Sequence, residues 1–92
     1  MSDIPCFVGI DVAKAQLDIA LRPSGERWTV SNDTNGVTTL VARMQTLQPT
    51  LIVLEATGGL ERMVTSALAT AGLPVVVVPP RQARDVARAT GQ

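Results

Sequence analysis

"LIVLEATGG", residues 51–59, decides how this chain is laid out. Four apolar residues run without a polar break into Glu55, and a Thr-Gly-Gly loop follows. A strand that is apolar at every position is usually buried on both faces, as in a parallel sheet. A parallel strand needs a crossover on each side, so the flanking segments should be helices.

They read that way. Upstream, Val37, Leu40, Val41, Met44 and Leu47 fall at helical spacing. Asp33 or Thr34 can cap that helix, and Pro49 ends it. Downstream, Leu60, Met63, Val64, Ala67, Leu68 and Ala71 make a second apolar stripe, closed by Gly72. "VVVV" at 75–78 reads as another buried strand, and Pro79-Pro80 opens a third helix. The front of the chain has a different period. Residues 5–11 form a short apolar strand ending in Asp11. Residues 15–21 alternate, with Leu17, Ile19 and Leu21 on one face and Gln16 and Asp18 on the other. "PSGE" at 23–26 is a turn, and 27–30 a third strand.

The order is therefore β-β-β-α-β-α-β-α. An antiparallel meander followed by right-handed crossovers gives a mixed α/β sheet, order 3-2-1-4-5, with helices on both faces. This is the ribonuclease H-like order, and actin-like ATPase domains share it.

Composition narrows the chemistry. The chain has 92 residues, so a single domain is expected, with a core of aliphatic side chains because aromatics are only 2 %. Eight basic and eight acidic residues cancel, which gives no overall electrostatic footprint for nucleic acid. One cysteine, Cys6, excludes an internal disulfide and a cysteine zinc site. The absence of histidine excludes histidine bases, histidine ligands and Ser-His-Asp triads. Proton or metal chemistry must use carboxylates. No apolar run approaches ~20 residues, so the expectation is a soluble, cytoplasmic protein with no membrane partner.

Two strands end alike: "FVGI" leads into Asp11 and "LIVL" into Glu55. In the order 3-2-1-4-5 these strands are parallel neighbours ~4.8 Å apart, with both acids at their carboxyl ends, where open α/β sheets bind ligands. Two readings fit. Singly, Asp11 can be a turn residue and Glu55 a helix cap. Together they make a carboxylate pair suited to Mg²⁺ or Mn²⁺, and a pair of such ions ~3.5–4 Å apart can cleave a phosphodiester.

Thr57, Gly58 and Gly59 can present backbone amides to a phosphate or simply permit a tight turn. Lys14, three residues past Asp11, is either a phosphate contact or a solvated turn lysine. Asp18 fits a surface or supporting role. Arg81, Arg84 and Arg88 share one helical face that can track a nucleic-acid backbone, although Asp85 can neutralise it by pairing along the helix.

"VGIDVAK", "LDIAL", "VLEATGG" and "VVPPRQARDVARATG" occur in this order across nearly the whole chain. Together they resemble the N-terminal, RuvC-like domain of the DEDD transposases of the insertion-sequence 110 family, relatives of the Piv DNA invertase. The resemblance implies an Asp-Glu-Asp-Asp tetrad binding Mg²⁺, with Asp11 as the first acid and Glu55 as the second. Its last two acids belong to a Lys-Thr-Asp-x-x-Asp-Ala motif, and this sequence ends at Gln92 without one. The expectation is thus a domain spanning 1–92 and truncated before half its ligands, with weak Mg²⁺ binding and no cleavage by itself. Absence of the helix that carries those acids should leave an apolar strip that favours homo-oligomers. For the full-length protein the resemblance implies DNA as partner, raises a guide RNA as a second one, and adds a C-terminal domain with a serine proposed as nucleophile.

Three other readings share the fold. An actin-like or sugar-kinase ATPase fragment would want glycine soon after Asp11, where Val12-Ala13-Lys14 stand instead. A non-catalytic interaction module would have lost the acids. A RuvC-type nuclease is a near neighbour of the transposase, and "EATGG" with "PPRQARDVARATG" favours the latter.

Overall fold

The computed structural model describes residues 5–79. The third helix, expected from Pro79-Pro80 onward, and Arg81, Arg84 and Arg88 on it lie outside the described residues.

The meander comprises β1 (Phe7–Val12), β2 (Gln16–Arg22) and β3 (Arg27–Ser31). Helix α1 (Thr34–Leu47) leads to β4 (Leu51–Glu55), and helix α2 (Arg62–Thr70) leads to β5 (Val75–Val78). The strands lie in the order β3-β2-β1-β4-β5. β1 pairs antiparallel with β2 and parallel with β4. This is the mixed sheet that the hydrophobic periods dictate.

Both described helices pack on one face of the sheet. The connections β3-α1-β4 and β4-α2-β5 step in the same direction between parallel strands, and right-handed crossovers in one direction put their helices on one side. That face is the core. Val8, Ile10 and Val12 of β1, Leu17, Ile19 and Leu21 of β2, and Ile52 and Leu54 of β4 meet Val37, Leu40 and Met44 of α1 and Val64 and Leu68 of α2. Trp28 packs half-buried at its margin, and the Arg43 guanidinium lies 4.1 Å above its ring while pairing with Glu26. Among the described residues no helix is long and apolar enough to cross a membrane.

Helix α1 starts as its sequence specifies. The Asp33 carboxylate accepts the Gly36 amide at 2.8 Å and the Ser31 hydroxyl at 2.8 Å, which satisfies one of the orphan donors of a helix start. Helix α2 ends in a Schellman motif: the Gly72 amide donates to the Ala69 carbonyl and the Leu73 amide to the Leu68 carbonyl.

Three expectations need correction. β1 runs from Phe7 to Val12, so Asp11 is its penultimate residue rather than its last, and the strand starts two residues later than expected. The second apolar stripe is shorter than its spacing suggests. Helix α2 begins at Arg62, Leu60 belongs to the preceding turn, and Leu60 and Met63 are exposed. The Gly58-Gly59 backbone, at φ +73° and +119°, takes the chain through a conformation no helix can include. β5 is not sealed on both sides either, since Val76 is 39 % exposed. It faces away from the helices, opposite Val53 in the ladder.

Candidate metal centre

The face of the sheet away from the helices carries the acids. In β1 the even positions are buried and Phe7, Gly9 and Asp11 point to the other side. β4 has the same alternation, with Ile52 and Leu54 buried and Leu51, Val53 and Glu55 half-exposed. The β1–β4 register pairs Ile10 with Leu54. Asp11 and Glu55 each follow that last pair by one residue, on neighbouring parallel strands and, by the alternation, on the same face. The two acids singled out in the sequence are thus brought together.

A third carboxylate joins the row. Asp18 is the direct cross-strand partner of Asp11, so both side chains leave the sheet on one face. The Thr29 hydroxyl donates to Asp18 Oδ1 at 2.7 Å and the Gln16 amide at 3.2 Å. Those bonds hold Asp18 toward β3, and among the described residues no three acids come close enough to enclose an ion. Alternation alone signalled this placement: Asp18 lies opposite Leu17, Ile19 and Leu21, and a tight connection closes the hairpin, with the Ala13 amide bonded to the Gln16 carbonyl at 2.9 Å.

Asp11, Asp18 and Glu55 border a shallow trough of ≈ 700 Å³ whose floor is Gly9 and Val53. The donor set is all carboxylate oxygen, without nitrogen or sulfur. It fits a hard divalent cation that keeps several waters, and it does not fit zinc or copper. Like charges facing each other across a sheet repel, and a cation between Asp11 and Glu55 relieves that repulsion. Lys14 is exposed in the hairpin connection after β1, at the same end of the sheet as both acids.

The loop after Glu55 holds an acid that the sequence did not mark. The Glu61 carboxylate folds back and accepts the Thr57 amide at 2.9 Å, the Thr57 hydroxyl at 3.0 Å and the Gly59 amide at 3.1 Å. The Thr57–Gly59 loop therefore already binds an anion, one from its own chain. This bears directly on the phosphate role expected of Thr57 and Gly58, since a phosphate entering there would meet a carboxylate in place.

The same bonds make Glu61 a strong acid. The Thr57 amide, its own amide and the Thr57 hydroxyl hold its pKa down to about 2. The Gly36 amide and Ser31 hydroxyl likewise lower that of Asp33. A carboxyl whose folded-state pKa is depressed stabilises the fold above its unfolded value, near 4.3 for Glu, and loses that contribution as pH falls toward the folded value. Thermal stability should therefore fall between about pH 5 and pH 2. Glu61→Gln should flatten that slope in melts followed by circular dichroism. An unchanged slope would show that these bonds do not form in solution.

Residues 8–92 match a family of transposases, the DEDD type of insertion sequence 110. No curated protein sequence matches. Among solved structures, the chain is similar to Thermus thermophilus RuvC in complex with a Holliday junction substrate. The TM-score is 0.64 at 17 % identity, over 89 % of this chain and 69 % of that one. It is also similar to a second structure of T. thermophilus RuvC, with a TM-score of 0.56 at 18 % identity, over 82 % of this chain and 62 % of that one.

Proposed function

This chain belongs to the insertion-sequence 110 family of DEDD transposases, and from that premise we propose that its open sheet face is the metal-binding part of a DNA-cleaving catalytic domain. Asp11 and Glu55 are the ligands. The observation that carries the reading is their register: two acids, level, on one face, at the ends of the two central parallel strands. A bound Mg²⁺ or Mn²⁺ would supply Lewis-acid stabilisation of a phosphoryl oxygen and a more acidic water.

The chain's own residues do the rest by position. The β1–β4 ladder, whose last pair is Ile10 with Leu54, brings the two acids that follow it to neighbouring positions. Lys14, at the same end of the sheet, supplies a point charge for a DNA phosphate. Gly9 offers no side chain along the trough floor, so a polynucleotide backbone can approach the sheet closely. One of the structural neighbours was solved with a branched DNA substrate, which supports DNA as the ligand of this face.

Titration with Mn²⁺, followed by paramagnetic broadening of amide resonances, tests the assignment. Broadening should centre on Asp11 and Glu55, require weak-binding concentrations, and disappear in Glu55→Gln. Broadening centred elsewhere, for instance around Glu26, would sink the metal site.

A further inference from the structure

Glu55 is the last residue of β4, and a side chain at a strand end is only as well placed as the chain that follows it. Two sets of bonds hold that chain. The Ala56 amide extends the β4–β5 ladder by one bond, to the Val78 carbonyl at 2.8 Å. Beyond it the Thr57 and Gly59 amides and the Thr57 hydroxyl converge on the Glu61 carboxylate. Gly58 and Gly59 both have positive φ, so without that anchor a pliable Gly-Gly backbone would stand three residues past the ligand.

We infer that Glu61 is a positioning residue for Glu55: its carboxylate fills the amide cradle of the Thr57–Gly59 loop as an internal anion and keeps Glu55 level with Asp11. The inference rests on the reading of Asp11 and Glu55 as metal ligands. A carboxylate accepting three hydrogen bonds is a stronger tether than a neutral side chain, because charge-assisted bonds are about twice as strong. It also stays charged through the whole physiological range. The cradle is filled from within, by Glu61.

The Mn²⁺ titration, repeated on Glu61→Ala and Glu61→Gln, separates this role from a merely structural one. In Glu61→Ala the Asp11–Glu55 site should bind Mn²⁺ roughly 10–100-fold more weakly, the usual effect of removing a group that orients a ligand. Methyl resonances of Val64 and Leu68 should report an intact core. Glu61→Gln, which keeps an acceptor oxygen, should fall between. Added acetate should restore part of the affinity of Glu61→Ala by re-entering the cradle and leave the unsubstituted chain unchanged. Unaltered Mn²⁺ affinity in Glu61→Ala would overturn this inference alone. Absence of any response at Asp11 and Glu55 in the unsubstituted chain would overturn the metal-site reading and this inference with it.

Discussion

Glu55→Gln, or Asp11→Asn, should abolish DNA strand cleavage and recombination by the transposase while leaving its fold in place. A metal held by these acids would contribute several kcal/mol of transition-state stabilisation, and each 1.36 kcal/mol is a tenfold in rate, so the loss should reach at least ~10³-fold. The fold should survive because both changes keep the side-chain shape at exposed or half-exposed positions. Stability should even rise slightly. Asp11 faces Asp18 across one ladder and stands beside Glu55 on the other, and neutralising one member of that row removes repulsion. Activity and melting temperature should therefore move in opposite directions. Recombination at the normal rate by either variant would remove both residues from the catalytic site. A large fall in melting temperature would mean that the acids have a structural role instead.

Gly36→Ala should be among the most damaging conservative changes to the fold. Two effects compete. Replacing glycine by alanine inside a helix gains about 1 kcal/mol of propensity. Against that, a Cβ at position 36 would overlap the Ser31 carbonyl oxygen and lie 2.7 Å from its carbon. The obstacle is backbone at the end of β3, so it cannot rotate aside as a side-chain tip would. Overpacking costs about 1–3 kcal/mol and more against rigid neighbours, so sterics wins. The shift also pulls the Gly36 amide from the Asp33 carboxylate that caps the helix. A net loss of about 2 kcal/mol corresponds to a fall in melting temperature of roughly 8–16 °C for a domain of this size. Asn35→Ala, one residue earlier on the exposed side of the same helix, is the control and should change little. Equal melting temperatures for Gly36→Ala and the unsubstituted chain would mean that α1 does not approach Ser31 this closely.

The candidate site was half legible. Asp11 and Glu55 could be found because each ends an apolar run, a pattern of contiguous residues. Asp18 was placed on the correct face by alternation, but its position opposite Asp11 needed the hairpin register. Glu61 had no local signature. Its role depends on Gly58 and Gly59 adopting positive φ together, which turns the chain back on itself, and glycine permits that conformation without requiring it. The same turn explains why Leu60 reads as part of a helical stripe and yet sits before the helix.

The sequence by itself determined the order of elements, their periods and the carboxylate-only chemistry, because hydrophobic period and residue type are local quantities. It also narrowed the helix cap to Asp33 or Thr34 and marked the Gly72 helix stop, since capping spans only a few residues. Tertiary structure alone decided which residues became neighbours. Strand register made Asp11, Asp18 and Glu55 one row. The common direction of both crossovers put α1 and α2 on one face and left the acids on the other. Folding back of Glu61 turned an expected phosphate cradle into one already filled. These outcomes rest on contacts between distant residues, and their energies exist only once the sheet has formed.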